Sequence, residues 1–548
     1  MRTDLAVILS FSLLAGTNFL LFNAYPVFSP ETALFILLLA MLLFPFWAVF
    51  RKMGQAWIFH GLLAALFFDL SIGFADPITF LPRFPIPFVQ SFLQKAGAAL
   101  PPAPWGPVIT LLLTDGVFTL PLLVLAGLLR RKIARILLVG FSVMFITTVV
   151  KFLLLPEPLI RVDRNENQAS RAPSKPPVVI LILDEHVGIE GIPLISDQAK
   201  VLKETLIADY VRNGFRLYGR SYTNYFQTHY SIPSLLNHFI WRDGMTHPPA
   251  SNRLLEKFHE EGYALNLYQS SYVEFCKPLK PLYRQCYQYK HNSVGFLKSA
   301  DLPFYEKALV MLSAFMEAHQ SVVLEKIFWA ASSRWKMIPW GHVEPFPVFG
   351  VLERVQKDLS QEKGGAVFFA HLLLPHSPHV FDPECRVKPV GKWNQRYLSG
   401  KGDLEPLRKE KQADYLEQMA CTHKKLAEFF EGMKREGIFE NAVILIFGDH
   451  GSRIYTQMLY EEQKERLVTL NDVTARDLVE LFSNFLAVKK PGWAAGYVQE
   501  KIPAATVLFE AVPFTPLEAT PPEKFHKIYL ASQDQRARKY YPYEMIDF

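Results

Sequence analysis

Val178-Val179-Ile180-Leu181-Ile182-Leu183-Asp184-Glu185-His186 is the stretch that decides the fold of this chain. Its six apolar residues run without a break into two carboxylates, which is typical of a strand buried on both faces of a sheet. A second stretch of the same form, Asn441-Ala442-Val443-Ile444-Leu445-Ile446-Phe447-Gly448-Asp449-His450-Gly451, lies far downstream. Because open α/β sheets collect their chemistry at the carboxyl ends of strands, the two acidic strand ends predict one shared site.

The second half of the chain alternates between strand-like and helical patterns. Apolar runs such as 264–268 and 366–370 alternate with helical patterns such as 414–435. This alternation predicts an α/β domain with a mostly parallel sheet covered by helices, over residues 176–548. Residues 156–175 are polar and charged without an apolar period, and we assign them to a linker.

The first 155 residues carry nearly all of the long apolar runs in the sequence. They predict a bundle of about five transmembrane helices, since a bilayer requires roughly 20 apolar residues for each span. The predicted spans are residues 5–23, 33–50, 56–74, 108–129 and 136–155.

Basic residues decide the predicted orientation in the membrane. Arg51 and Lys52 follow the second span, and residues 130–135 carry four basic side chains between the fourth and fifth spans. The positive-inside rule places both links in the cytoplasm, so an odd number of spans puts the α/β domain outside. We therefore predict a multi-pass protein of the bacterial inner (cytoplasmic) membrane, with this domain in the periplasm or outside the cell.

Charge and cysteine content limit the environment of the α/β domain. The net charge is +6 and no long basic run is present, which argues against nucleic acid as a partner. All four cysteines lie in the second half, and an extracytoplasmic domain favours disulfides. Local pairing of Cys276 with Cys286 and of Cys385 with Cys421 is our first choice among three connectivities; four buried free thiols are the alternative.

One further region, residues 300–345, is rich in Phe, Trp, Met and Leu at helical spacing. Core helices of the α/β domain explain this pattern in the simplest way. The alternative is a surface that rests on lipid or receives a lipid-linked substrate.

The two strand ends carry residue types that bind metal ions. Asp184 and Glu185 suit a divalent cation, although acids at such positions also cap helices. Asp449 and His450 combine a carboxylate with an imidazole, which suits zinc or manganese, with magnesium or calcium as alternatives. We therefore predict a divalent cation as cofactor, held by these four residues.

Two other motifs supply polar groups to the predicted site. Thr228 and Ser231 lie just before Pro233 at an apolar helix start, where a hydroxyl beside a cation is activated as a nucleophile or else merely caps the helix. Residues 371–379 hold three histidines, and we expect at least one to bind phosphate or to protonate a leaving oxygen.

In this order, the motifs resemble those of the alkaline phosphatase/sulfatase superfamily: a strand followed by Asp-Glu, a hydroxyl before a Pro-Ser helix, a Pro-His-x-Pro loop, and a strand followed by Gly-Asp-His-Gly. The spans ahead of them resemble its membrane-bound sulfatase-like branch, which includes phosphoethanolamine transferases and lipoteichoic acid synthases. The resemblance implies an alkaline-phosphatase-like α/β/α domain.

The resemblance also implies roles for individual residues. The metal positions match Asp184, Glu185, Asp449 and His450, and the nucleophilic threonine of the transferases matches Thr228. His376 matches their substrate-contacting histidine, and we add Ser231, His379 and Arg453 as substrate-binding residues. Ser231 remains an alternative nucleophile by the sulfatase pattern, although Leu235 replaces the arginine that accompanies the modified residue there. The cysteine pair that flanks the nucleophile in phosphoethanolamine transferases has no counterpart here.

The implied activity is that of a metal-dependent phosphotransferase or a sulfuric or phosphoric ester hydrolase. It moves a phosphoryl-linked group from a lipid or ester donor, through a threonine intermediate, to a cell-envelope glycan or to water. The implied partners are membrane lipid and an anionic phospholipid or glycan substrate. One alternative is an extracytoplasmic sulfatase or phosphodiesterase with water as acceptor, and another is a membrane scaffold with an inactive domain.

Overall fold

The computed structural model describes residues 2–73, 121–154, 158–165, 167–168, 173–243, 245, 252–318, 342–393, 405–454, 474–513, 526–531 and 540–548. The chain divides into two compact units. The helical unit comprises Met1–Pro158 and Val294–His342, and the α/β unit comprises Leu159–Ser293 and Val343–Phe548.

Helices and strands are numbered along the chain. The helices are α1 Arg2–Phe22, α2 Pro30–Lys52, α3 Ala56–Gly73, α4 Ile133–Leu154, α5 Asp197–Arg212, α6 Thr228–Asn237, α7 Arg253–Glu260, α8 Phe304–Ala318, α9 Val348–Gln361, α10 Glu405–Arg435, α11 Ala475–Phe482 and α12 Ala504–Ala511. The strands are β1 Ile160–Arg164, β2 Val178–Leu183, β3 Arg216–Tyr222, β4 Ala264–Ser270, β5 Tyr283–Tyr289, β6 Ala366–Leu372, β7 Val443–Gly448, β8 Leu486–Lys489, β9 Gly496–Pro503, β10 Lys527–Ala531 and β11 Tyr540–Glu544.

The helical unit contains three described helices that are long and apolar enough to cross a membrane: Arg2–Phe22, Pro30–Lys52 and Ile133–Phe152. Among the described residues there are thus three candidate spans, not the predicted five. The third predicted span coincides with α3, which is not among these candidates, and most of the fourth lies outside the described residues. The prediction of an apolar helical region ahead of the α/β unit is nevertheless confirmed.

The α/β unit is built on a nine-stranded sheet with the order β1-β5-β4-β6-β2-β7-β8-β3-β9. Its centre is parallel, since β2 pairs in parallel with both β6 and β7, and β4 pairs in parallel with β5 and β6. The strand β8 runs antiparallel to β7 and β3, and β1 antiparallel to β5. The predicted α/β architecture with a mostly parallel sheet is thus confirmed.

The central strand β2 is buried along its whole length, as its unbroken apolar sequence requires. On one face, Ile180 and Ile182 pack in a core with Phe369 of β6 and with Ile232 and Leu235 of α6. This packing fixes the start of α6 over the carboxyl end of β2, where the acidic residues begin.

Two details of the α/β unit bear on the sequence predictions. The stretch assigned to a linker contains β1, which forms an edge of the sheet beside β5.

The cysteines pair as predicted, Cys276 with Cys286 and Cys385 with Cys421, with Cα–Cα distances of 6.0 and 4.9 Å. Both distances lie in the range that disulfides adopt.

Candidate metal centre

The register of β2 and β7 brings the two acidic strand ends together. Leu183 lies opposite Gly448 in the parallel pair, so Asp184 and Asp449 follow at the same edge of the sheet. A side chain at position 448 would collide with the carbonyl oxygen of His186. Only glycine therefore allows the two turns to approach so closely.

Asp184, Asp449 and His450 form a fully buried cluster whose ligand atoms all lie within 4.8 Å of one another. Among the described residues, Oδ1 of Asp184 and Oδ2 of Asp449 have no hydrogen-bond partner. Buried carboxylate oxygens without partners are costly, because nothing replaces the water they lose.

The imidazole of His450 is oriented to complete this cluster. Its Nδ1–H donates to the carbonyl oxygen of Gly451 at 2.8 Å, which leaves the lone pair of Nε2 facing the acids. Histidine ligands of metals are commonly held in this way by a carbonyl oxygen. Two bare carboxylate oxygens and one imidazole nitrogen form a donor set that fits zinc or another divalent cation.

The two acids have opposite pKa shifts. Burial raises the pKa of Asp449 well above its usual value, and the negative charge of Asp184 raises it further. Burial would also raise the pKa of Asp184, but the imidazoles of His376 and His371 outweigh it and hold that pKa low. Burial and the positive charge of Arg453 lower the pKa of His450 to about 3. Of the two acids, Asp449 is therefore the one that keeps a proton to the higher pH.

Thr228 is the first residue of α6, and its hydroxyl lies at the edge of the cluster. Its Oγ1 is 3.2 Å from Nε2 of His450 and 3.5 Å from Oδ2 of Asp184. The preceding residue, Gln227, makes no side-chain hydrogen bond to cap the helix. The positive end of the α6 helix dipole therefore favours an anion beside Thr228.

Ser231 lies one turn later in α6, and the structure gives it a different contact. Its buried hydroxyl donates to the backbone carbonyl of Asp449 at 2.5 Å. This bond fastens α6 to the end of β7. Of the two candidate nucleophiles, Thr228 is thus the one whose hydroxyl faces the cluster.

Glu185 lies beside the three-residue cluster and is not part of it. Its carboxylate pairs with Arg453, whose Nε lies 3.1 Å from Oε1, and also accepts the N–H of Ser377 at 3.4 Å. Burial would raise the pKa of Glu185, but His376 and Arg453 outweigh it and lower that pKa to about 2. The structure thus shows Glu185 as an ionised partner of Arg453, whereas the sequence pattern predicts a metal ligand.

The histidine loop is divided between the site and the interior. Nε2 of His376 lies 3.8 Å from Oε1 of Glu185, while its Nδ1–H donates to the carbonyl of Ser377. His379 is buried against the ring of Tyr415, 5.6 Å between centroids. Gln418 holds the loop by donating to the carbonyl of His376 at 2.7 Å. His376 therefore lies beside Glu185, whereas His379 is buried in the interior against Tyr415.

One residue of the site, Tyr415, was not identified from the sequence, and His371 was included only as one of the three histidines of residues 371–379. His371, in β6, lies with its Nε2 3.0 Å from Oδ2 of Asp184 and so orients that carboxylate. The hydroxyl of Tyr415 donates to the carbonyl of Glu185 at 2.8 Å and accepts the N–H of Val187 at 2.9 Å. This contact supports the turn in which Glu185 adopts a φ of 63°.

Residues 350–479 match the family model described as Sulfatase. No curated protein matches the chain. Similar solved structures include the C-terminal periplasmic domain of EptC from Escherichia coli, at 13% identity over 70% of this chain and 96% of that chain, with a TM-score of 0.37. The lipoteichoic acid synthase LtaP from Listeria monocytogenes is 14% identical over 70% of this chain and 91% of that chain, with a TM-score of 0.36. The phosphonate monoester hydrolase of Agrobacterium radiobacter is 15% identical over 65% and 80%, with a TM-score of 0.36.

Proposed function

Since this chain carries a domain of the sulfatase family, within the alkaline phosphatase/sulfatase superfamily, we propose that it is a membrane-anchored, metal-dependent group-transfer enzyme. It moves a phosphoryl-linked group through a covalent intermediate on Thr228. One observation carries the proposal: the unpartnered oxygens of Asp184 and Asp449 converge with Nε2 of His450, which lies 3.2 Å from the Thr228 hydroxyl.

In the first step the oxygen of Thr228 attacks the phosphorus of the donor in line. A bond between Oγ1 and phosphorus forms as the bond to the leaving oxygen breaks. The threonine proton leaves towards Oδ2 of Asp184, at 3.5 Å, because the lone pair of His450 Nε2 is one of the donors that would hold the cation. A bound divalent cation supplies Lewis-acid chemistry here, lowering the pKa of the hydroxyl and polarising the phosphoryl group.

The remaining residues act on the transferred group and on the leaving oxygen. The positive end of the α6 helix dipole stabilises the phosphoryl oxygens, where negative charge develops. His376 protonates the leaving oxygen through Nε2, because its Nδ1 is engaged by the carbonyl of Ser377. Arg453, which pairs with Glu185, adds a positive charge to the pocket that would hold the phosphoryl anion. His379, buried behind the 371–379 loop, supports the same pocket.

The membrane helices suggest the source and the destination of the group. A chain with three candidate spans is held at a lipid surface, so an anionic phospholipid is the donor we favour. A cell-envelope glycan or water is then the acceptor, with the α/β unit in the periplasm or at the cell surface.

The test is to trap the intermediate with an activated phosphodiester, bis-(p-nitrophenyl) phosphate. The purified full-length protein is loaded with zinc or manganese, mixed with the ester and quenched in acid, and its peptides are analysed by mass spectrometry. We expect a phosphoryl adduct on Thr228. We also expect Thr228→Ala to lose the adduct and to reduce turnover by roughly 10³-fold or more, as removal of a catalytic nucleophile does.

Ser231→Ala is the matched variant for this experiment, since it removes a hydroxyl one turn away in the same helix. We expect it to keep the adduct. An adduct that persists in Thr228→Ala and disappears in Ser231→Ala would reverse the assignment. Conversion of position 231 to formylglycine would instead indicate the sulfatase alternative.

A further inference from the structure

The helix α8 belongs to the helical unit, although the chain on both sides of its segment belongs to the α/β unit. The segment Val294–His342 clusters with Met1–Pro158, whereas Ser293 and Val343 belong to the sheet-containing unit. The chain therefore passes between the two units three times. A long insertion in the α/β sequence has become part of the apolar bundle.

Aromatic packing joins α8 to the first two helices. The ring of Phe315 meets the ring of Phe19 in α1 edge-on at 5.4 Å and the ring of Phe35 in α2 at 5.8 Å. Phe19 and Phe35 are buried, and both belong to helices long and apolar enough to span a membrane. The contact partners of α8 thus lie within the predicted membrane spans.

The position of Phe315 against α2 shows how far the described part of α8 enters a bilayer. Phe35 lies five residues after Pro30, the first residue of α2, which is about 8 Å along the helix at 1.5 Å per residue, against roughly 30 Å of hydrocarbon that a spanning helix must cross. Because Ser293 and Val343 both belong to the α/β unit, the chain enters this insertion and leaves it on one side of the membrane. The contact of Phe315 with Phe35 therefore lies in one leaflet.

The first turn of α8 has the composition of a lipid–water boundary. Phe304 and Tyr305 are 52% and 49% exposed, and Lys307 interacts electrostatically with Glu31 at the start of α2. Tyr25, in the link between α1 and α2, donates to the same carboxylate at 2.7 Å. Aromatic and basic side chains gather at headgroup level in membrane proteins.

From these observations we infer that α8 is a re-entrant helix embedded in the outer leaflet of the bilayer. Its apolar body packs against α1 and α2, and Phe304 and Tyr305 lie among the lipid headgroups. The outer leaflet follows from the α1–α2 link, which lacks basic residues and is therefore expected outside. The inference concerns lipid contact alone and is independent of the proposed chemistry.

The experiment measures the depth of position 305 in a bilayer. Tyr305→Cys is made in the full-length protein, labelled with a thiol-reactive nitrobenzoxadiazole fluorophore and reconstituted into phosphatidylcholine vesicles. All four native cysteines are paired, so the label attaches to the new thiol. Val201→Cys in α5 is the matched control, because Val201 is 61% exposed on the α/β unit.

We expect lipid carrying a nitroxide near its headgroup to quench the label at position 305 several-fold more than the label at 201. Aqueous iodide should show the opposite order. If iodide quenches both positions equally and the nitroxide lipid quenches neither, the inference is overturned. Shielding of position 305 from both quenchers would overturn it as well, by indicating that protein covers this end. Phe304→Cys provides the same measurement should Tyr305→Cys fail to fold.

Discussion

At the level of single residues, a proton competes with a cation for Asp449. Burial and the charge of Asp184 raise the pKa of Asp449, so this carboxyl holds a proton to a higher pH than an ordinary aspartate. His450, with a pKa of about 3, is neutral over the same range. Because ligands bind a cation in their deprotonated form, the apparent affinity for the cation falls as the pH falls through the raised pKa of Asp449.

We expect binding of zinc or manganese to the metal-free protein to weaken as the pH is lowered, because protons compete with the cation for Asp449. Titration calorimetry at several pH values measures this dependence. Asp449→Asn should weaken binding and reduce its dependence on pH, while Asp197→Asn, at the exposed start of α5, should change neither. An affinity that does not change with pH would contradict this competition.

The sequence predicts only some of the residues that meet at the site. Asp184, Asp449 and His450 can be identified from the sequence because they follow strands made only of apolar residues. Polar side chains at that position indicate a functional site. His371 belongs to the group of three histidines at residues 371–379, but the sequence does not tell which of the three lies beside the acids. Tyr415 gives no such signal, since a single tyrosine within a long helix resembles a core residue. The pairing of Glu185 with Arg453 depends on the path of the turn after Gly451, which no local pattern specifies.

At the level of elements, the site depends on how closely the ends of β2 and β7 approach. Gly448 is the position where this approach is tightest, because its backbone lies against the carbonyl of His186. Ser231 then ties α6 to the end of β7. Moving either strand end would separate the two carboxylates while leaving the rest of the sheet paired.

Gly448→Ala should weaken metal binding by about 10- to 100-fold, the usual effect of displacing the support of metal ligands. The added methyl group meets the carbonyl of His186 and moves the turn that carries Asp449. Gly350→Ala is the control, since a Cβ at Gly350 in α9 meets no atom within 4 Å. Calorimetric affinities of the two variants test this; equal affinities would show that the close approach is dispensable.

The two disulfides close loops of different length and should differ in their contribution to stability. Their sequence separations are 10 and 36 residues. Chain-entropy arguments assign about 3 kcal/mol to the shorter loop and about 4 kcal/mol to the longer one. We expect replacement of Cys385 and Cys421 by serine to reduce the free energy of unfolding more than replacement of Cys276 and Cys286. Urea unfolding of the two double variants in detergent compares them, and the reverse order would contradict the loop-length argument.

The edge strand β1 shows why one element escaped prediction. Its sequence, Ile160-Arg161-Val162-Asp163-Arg164, is mostly charged, and all but its first residue are exposed. An edge strand with so little burial has no apolar pattern to reveal it. The buried strands β2, β6 and β7 follow directly from composition, because burial on both faces excludes polar side chains.

At the scale of the whole molecule, the sequence separates an apolar region from an α/β region but does not place the insertion at α8. Residues 300–345 have the composition of core helices, and the structure assigns α8 to the helical unit. Composition cannot distinguish these outcomes, because a helix buried in protein and one buried beside lipid have the same apolar character.

The orientation of the chain can be tested with two cysteine variants. We expect Val201→Cys to react with a membrane-impermeant maleimide in intact spheroplasts, since α5 belongs to the unit predicted outside. Met53→Cys, 60% exposed next to the basic end of α2, should react only after lysis. Labelling of position 53 before lysis would place this link outside and reverse the predicted topology.

The ligands of the metal centre come from distant parts of the chain: Asp184 follows β2, whereas Asp449 and His450 follow β7. If the chain is the enzyme we propose, it must be synthesised beyond residue 450 before its cation site is complete, and Thr228 emerges from the ribosome long before His450. We therefore expect fragments that end ahead of β7 to lack transfer activity. The order of synthesis would then keep unfinished chains from reacting with their donor.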